Sequence, residues 1–459
     1  MNRSFDSIII GAGQAGPSLA GRLTRAGEKI AFIERNQFGG TCVNTGCTPT
    51  KAMVASAHAA HIARRAGDFG VRVDGAITVD MKAVKERKDS IVSRSRTSVE
   101  SWVRGMDNCA VYHEHARFIS SHGLSVGNDL LSADKIFVNV GARPSSPKFP
   151  GIDSVPYLTS SSILDLDRLP SHLVIVGGGY IGLEFGQMFR RFGSQVTIVE
   201  MGPRLVKHED PDVSQAILEI LESEGIQFRL NAECISLLTR GASIGVNVSC
   251  VAGEPEVIGS DILLAVGREP NTGDLGLEHA GVATNIHGYI VVDDELKTNI
   301  PGIWALGDCN IRGGFTHTSY NDFEIVAANL LDNERRRVSD RISVHALFID
   351  PPLGQIGLTE DEVRQSGRPA LVSVRPMSRV ARAIEKGETA GFMKVLVDAE
   401  SKRILGASVL GTGGDEAIHC ILDTMYADQP YTTLKHAMHI HPTVSELIPT
   451  LLGDLRPLV

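Results

Sequence analysis

The chain has 459 residues, 42% of them hydrophobic and 22% charged, with a formal net charge of −9; this is an ordinary globular composition, long enough for about three domains. No basic cluster points to nucleic acid, and no apolar run reaches the roughly 18 residues of a membrane span. Met1–Asp6 is polar and Ile8–Ile10 runs at once into glycines, which argues against a secretory leader and makes a cytoplasmic location the expectation.

Phe5–Ile10, Gly11–Gly16, Pro17–Arg25 and Lys29–Glu34 read as strand, glycine turn, helix and second strand. In Gly11-x-Gly13-x-x-Gly16 the first glycine makes the tight turn. The second lets backbone approach a pyrophosphate, and the third lets helix and strand pack closely. The helix N-terminus offers free N–H groups to the phosphates. Glu34, 18 residues after Gly16, can accept hydrogen bonds from a ribose diol.

Next comes Gly39-Gly40-Thr41-Cys42-Val43-Asn44-Thr45-Gly46-Cys47-Thr48-Pro49-Thr50-Lys51. A helix is expected to start around Cys42, with Pro49 limiting its regularity. At about 100° per residue, an ideal helix would put the two cysteines on different faces. A bridge therefore needs a distorted turn, which Gly46 could permit. Thiolates near a helix N-terminus have lowered pKa values, and an accessible, strained bridge is easily reduced. Lys51 could add positive charge. The chain holds seven cysteines, and no second pair exists to complete a four-thiolate zinc site, so no metal centre is expected. Cys109, Cys234, Cys250, Cys309 and Cys420 are scattered singly and read as buried inert thiols.

Lys148–Gly151 and Leu169-Pro170-Ser171 mark a boundary. Beyond it the first unit recurs: strand Leu173–Val176, turn Gly177-x-Gly179-x-x-Gly182, helix Leu183–Phe192 and strand Gln195–Glu200. Two such units mean two doubly wound nucleotide-binding domains. Glu200 favours a free 2′-hydroxyl, hence NADH, while Arg204 and Lys207 keep NADPH open. Farther on, a short apolar strand ends in Gly307-Asp308, and a helix over about Thr318–Leu331 follows. The charged stretch Asn333–Arg337 marks another boundary. From about 340, Val344–Ile349, Ala370–Val374, Gly391–Asp398 and Ile404–Leu410 read as strands, and 414–428 and 443–453 as helices. Near the C-terminus stands His439-Ile440-His441-Pro442-Thr443-Val444-Ser445-Glu446, where a histidine beside a carboxylate suits acid–base work near neutral pH.

The cysteine stretch resembles the signature of the class I pyridine nucleotide–disulfide oxidoreductases, the family of dihydrolipoamide dehydrogenase, glutathione reductase and mercuric reductase. Matching motifs run from Gly11 to Glu446. The resemblance implies an α/β fold with an FAD-binding domain at 1–150 and 270–337, an NAD(P)-binding domain at 151–269, and a C-terminal α+β dimerisation domain at 340–459. It implies that Cys42 attacks substrate, that Cys47 exchanges electrons with the flavin, and that Lys51 lies beside the flavin and pairs with Glu184. Gly40, Thr41, Gly307 and Asp308 would complete the flavin site. Tyr180 would be an aromatic gate over the nicotinamide or else a packed core residue. Val140–Pro144 and Val266–Asn271, with Gly267, match the family's interdomain connections. His441 would be the acid–base group and Glu446 its partner, both serving the site of a second subunit in an obligate homodimer. His317 and His439 read as structural. Electrons would pass from NADH through FAD and the Cys42–Cys47 bridge to a small disulfide, or in reverse from a dithiol. Two alternatives stand: a mercuric reductase-like metal-ion reductase, against which Leu452–Val459 carries no cysteine pair and no metal-carrying domain precedes Gly11, and a flavin-binding scaffold without turnover.

Overall fold

The computed structural model describes residues 1–249 and 254–458. Cys250, and the side chain of Cys234, lie outside the described residues.

Two parallel sheets form the frame. In the first, Cys109–Tyr112, Ile30–Ile33, Asn2–Ile10 and Asp129–Val138 lie side by side in parallel. A meander through Ala116–Ser120 and Gly123–Val126 extends the edge. Ile8–Ile10 and Ile30–Ile33 are buried throughout, as strands covered on both faces must be. The second sheet runs in the order Gln227–Arg229, Gln195–Val199, His172–Val176, Asp261–Leu264, Leu158–Thr159, all parallel. It already includes Leu158–Thr159, on the near side of Leu169-Pro170-Ser171. The chain then returns to the first sheet: Ile303–Ala305 pairs in parallel with Asp129–Val138, and Trp304 stacks on Phe137 with ring centres 5.0 Å apart. Ala142–Pro144 and Arg268–Pro270 pair antiparallel where the chain crosses between the sheets.

Two long helices follow, the first running out of the cysteine segment. Cys47–Arg64 packs against Met81–Arg104, and Asp80 caps the latter by accepting from the amides of Lys82 and Ala83.

The C-terminal part is an antiparallel sheet in the order Val344–Leu347, Leu353–Gly357, Ile404–Leu410, Phe392–Asp398, Ala370–Pro376, Arg456–Pro457. Leu353–Gly357 is a strand the sequence hides, because Pro351, Pro352, Gly354 and Gly357 read as a turn. Gly354 is needed for packing: a Cβ there would stand 2.7 Å from the Gly414 carbonyl. The expected helices over 414–428 and 443–453 are broken. Gly414–Ala417 and His419–Tyr426 are separate, Thr432–Lys435 adds a turn, and a 3-10 turn at Ser445–Leu447 precedes Ile448–Gly453. Pro449 stands in the first turn of that last helix, where its missing N–H costs nothing.

Among the described residues, no helix is long and apolar enough to cross a membrane.

Candidate active site

The two glycine turns are built alike. Gly11 has φ +109°, and a Cβ would stand 2.2 Å from the Asn139 carbonyl oxygen. Gly177 has φ +115°, and a Cβ would stand 2.4 Å from the Ala265 carbonyl oxygen. In both, the third glycine packs on the first: a Cβ on Gly16 would lie 2.3 Å from the Gly11 oxygen, and one on Gly182 would lie 2.0 Å from the Gly177 oxygen. The acids sit alike too. Glu34 accepts from the amides of Ala12 and Asn36 at 2.7 Å each, and Glu200 from those of Gly178 and Gly202 at 2.6 and 2.7 Å. Each carboxylate oxygen keeps a lone pair for a ribose hydroxyl. Both acids can therefore accept from a ribose, and at the second turn a Cβ on Gly179 would stand in open space, which leaves backbone free for a pyrophosphate.

The first turn is braced by a residue that motif reading overlooks. Asn139 is buried, and its side chain reaches the Gly11 oxygen at 3.4 Å. It also underlies Gly307, where a Cβ would lie 3.3 Å from Asn139 Oδ1 and 2.7 Å from Ser319 Oγ. The amide of Gly307 donates to Asp322 Oδ2 at 2.7 Å. Burial raises the Asp322 carboxyl, and Arg341 opposes that by donating to Oδ1. Burial likewise raises Asp308, while the Arg268 guanidinium, 3.6 Å away, opposes it. Gly267 lies just before that arginine, at φ +120°.

The cysteine segment is two helices. Gly40–Asn44 ends after Cys42, and Cys47–Arg64 begins at Cys47. The break falls at Thr45–Gly46, and a Cβ on Gly46 would press to 2.9 Å from the Thr41 oxygen. The segment lies directly on the first turn: the Gly39 amide donates to the Ala12 oxygen at 2.9 Å, and a Cβ on Gly40 would meet Gly13 Cα at 2.7 Å. Thr41 Oγ1 lies 3.5 Å from the Ala142 oxygen, toward the interdomain connection.

The two thiols share a proton unequally. Cys47 is lowered to about 6 by the hydrogen bond from Cys42, with further help from Thr316 and Lys51. Cys42 is raised well above the ordinary thiol range by the same bond and by burial. Thr316 Oγ1 lies 3.1 Å from Cys47 Sγ; it opens the helix Thr316–Leu331, which starts two residues before the expected Thr318. No motif marks it. Lys51 Nζ pairs with Glu184 Oε2 at 2.5 Å and lies 4.4 Å over the Phe348 ring. Glu184 is buried and also accepts from the Phe348 amide at 3.0 Å. The expected Lys51–Glu184 pair is thus present.

Tyr180 opens the helix that carries Glu184 and is half-buried. His317 Nε2 lies 2.8 Å from the Val344 oxygen, its ring stacks on Phe315 at 5.3 Å, and burial lowers its pKa. Of the other five cysteines, three have described side chains, and none of these three is held as a reactive thiol. Cys309 is buried; Cys109 and Cys420 are half-buried rather than buried, because each lies at the margin of its core cluster. Burial pushes Cys109 up to about 11 and Cys309 to about 12, and raises Cys420.

His441 Nδ1 lies 2.9 Å from Glu446 Oε2. Its side chain is 74% exposed while that of Glu446 is 14% exposed. Among the described residues, no hydrogen bond joins this pair to either cysteine, so one chain leaves its imidazole facing outward.

Two linked dinucleotide folds with a dithiol at their junction define an oxidoreductase that moves electrons between a nicotinamide and sulfur. The family described as pyridine nucleotide-disulphide oxidoreductase matches residues 5–324, and its dimerisation domain matches residues 344–452. The chain belongs to this family, whose members are FAD-dependent and served by NAD(P)H. It is 37% identical, over the full length of both chains, to a probable pyridine nucleotide-disulfide oxidoreductase, RclA, of Escherichia coli K12. A mercuric reductase of Bacillus cereus is 32% identical over 97% of this chain and 70% of its own length. A dihydrolipoyl dehydrogenase of Chlamydia muridarum is 30% identical over 97% and 96%. A structure described as the Cu(II) complex of the HOCl-induced flavoprotein disulfide reductase RclA from E. coli superposes with TM-score 0.90 at 35% identity, covering 98% of this chain and 99% of that one.

Proposed function

We propose that this chain is an NADH-dependent flavoprotein disulfide reductase acting on a small disulfide through Cys42 and Cys47. The observation that carries the reading is the close dithiol itself, with Thr316 Oγ1 3.1 Å from Cys47 Sγ and Lys51, paired with Glu184, four residues beyond it. Cys47 is held as thiolate near neutral pH by Cys42, Thr316 and Lys51, while Cys42 keeps its proton until a base takes it. Bound FAD would supply two-electron transfer between the nicotinamide and Cys47. Gly11, Gly13, Gly16, Glu34, Gly40, Thr41, Lys51, Gly307 and Asp308 would hold it. Gly177, Gly179, Gly182, Glu200 and Gly267 would hold the nicotinamide dinucleotide, with Tyr180 beside its nicotinamide end. Glu200 supports NADH over NADPH, since an acid repels a 2′-phosphate.

The chain's own part is proton and sulfur chemistry. Cys42 loses its proton to His441 Nε2 of a second copy, because Glu446 occupies Nδ1. The Cys42 thiolate attacks the substrate disulfide, and the leaving thiolate takes the proton back. Cys47 then attacks Cys42, releasing the second product as a thiolate, which takes a proton from solvent, and closing the bridge. The outward-facing His441–Glu446 pair and the matched dimerisation domain support a homodimer with shared sites. Reduction of a soft metal ion is the second reading: the E. coli relative was solved as a Cu(II) complex, mercuric reductases are 32% identical, and a low-pKa dithiol suits such ions. Dihydrolipoamide oxidation would use the same residues in reverse.

The test is an NADH- and NADPH-coupled assay across lipoamide, glutathione disulfide, other small disulfides, quinones, mercuric ion and Cu(II). Turnover of a disulfide ahead of both metal ions is the expected result. Turnover of a metal ion alone would replace the first reading with the second.

A further inference from the structure

The second glycine turn carries a buried acid that no step above uses. Glu209 is 2% exposed. Its Oε1 accepts the Tyr180 phenol at 2.5 Å and His345 Nε2 at 2.6 Å, while Oε2 is buried without a partner among the described residues. A buried carboxylate is costly unless its bonds offset the lost hydration, so these two donors are strongly held. The Tyr180 ring is gripped as well, edge-on to Phe315 at 6.2 Å and to His345 at 5.6 Å.

The far end of this arrangement cannot follow the ring. Glu209 lies on a segment tied to the turn by the Val206 amide, which donates to the Gly178 oxygen at 2.9 Å. Its neighbour Asp210 is fixed to the C-terminal part by Lys394 of the sheet at 2.7 Å and by the amide of Glu360, which opens the helix Glu360–Gln365, at 2.9 Å. Tyr180 itself stands one helical turn before Glu184, so its ring and the Lys51–Glu184 pair share a face.

We propose that Glu209 and His345 are positioning residues: they latch the Tyr180 ring across the nicotinamide end of the second dinucleotide site, and a dinucleotide seats its nicotinamide there only by breaking the phenol–carboxylate bond. This rests on the placement of nicotinamide beside Tyr180 proposed above. ADP-ribose has the same phosphates and riboses without the nicotinamide, so it binds with the latch shut.

The test is calorimetric titration of the FAD-loaded protein with NAD⁺ and, separately, with ADP-ribose. Tyr180→Phe keeps the ring and drops the latch; Glu209→Gln keeps the shape and drops the charge. Tyr180→Phe should tighten NAD⁺ binding roughly tenfold, the scale of one hydrogen bond to a charged group; Glu209→Gln, whose amide oxygen still accepts the phenol, should tighten it by less; neither should change ADP-ribose binding. The double variant should gain no more than Tyr180→Phe alone, since Glu209→Gln weakens the same bond that Tyr180→Phe removes. Equal shifts for both ligands, additive effects, or weaker NAD⁺ binding in Tyr180→Phe would overturn the latch. If Tyr180→Ala alters NAD⁺ binding and the two subtle variants do not, the latch falls but the nicotinamide placement stands. If none of the three separates NAD⁺ from ADP-ribose, the placement falls with it. Glu209→Gln is read only if its melting temperature and FAD content match those of the parent; Tyr180→Phe carries the test otherwise.

Discussion

The two nucleotide turns differ less in themselves than in what folds back over them. After the second strand of each unit, the chain crosses the turn and makes the same bond: Gly39 N to Ala12 O, and Val206 N to Gly178 O, each 2.9 Å. In the first unit that segment is the start of the cysteine helices. In the second it carries Glu209, which holds Tyr180. One repeat has placed its fold-back at the service of sulfur chemistry, the other at the entrance to the nucleotide site. Even the glycines record the difference: Gly13 lies under Gly40 and beside Asn139, while Gly179 borders open space.

The largest expected break of this comparison is chemical. Cys42→Ser should lower disulfide turnover by about three orders of magnitude or more and leave NADH-to-dye electron transfer largely intact; surviving disulfide turnover would remove Cys42 from its role. Next come the turns. Gly11→Ala meets a carbonyl oxygen at 2.2 Å and a positive φ, so it should destabilise the protein by about 3 kcal/mol or more, read as lower FAD content and melting temperature. Gly179→Ala should leave stability within about 0.5 kcal/mol and weaken only dinucleotide binding. Equal damage from both would erase the contrast.

Thr316→Val sharpens the sulfur side. Thr316 donates to the charged form of Cys47, so its loss should raise the Cys47 titration midpoint from about 6 toward the ordinary thiol range. The thiolate fraction then falls between those limits, as the pH dependence of site-resolved alkylation of the reduced enzyme can follow. The smallest effect sits on the nucleotide side: Glu200→Ala should shift the NADH-to-NADPH ratio of kcat/KM toward NADPH by roughly tenfold.

Much of this was open to reading in one dimension because each piece depends on local rules. A strand, three glycines, a helix and a spaced acid specify a phosphate turn wherever they occur, and the spacing of Cys42, Gly46 and Cys47 called for a distorted turn, although one helix starting around Cys42 was expected where there are two, Gly40–Asn44 and Cys47–Arg64. Leu353–Gly357 was not legible, since Gly354 answers to Gly414 and Ile418 and Gly357 to Leu405 and Gly406, all far along the chain. Nor were the long helices of 414–428 and 443–453 correctly read, because their apolar periodicity does not show where the chain must turn. Asn139, Thr316 and Glu209 belong to no motif, and each matters only through a neighbour more than 25 residues away.

By itself the sequence determined the class of chemistry, since glycine turns and a close cysteine pair act through backbone geometry and sulfur reactivity within a few residues. Only the tertiary structure decided which groups surround the two thiols, what restrains Tyr180, and where the His441 imidazole points. Those depend on distances between side chains that the fold, and no local rule, brings together.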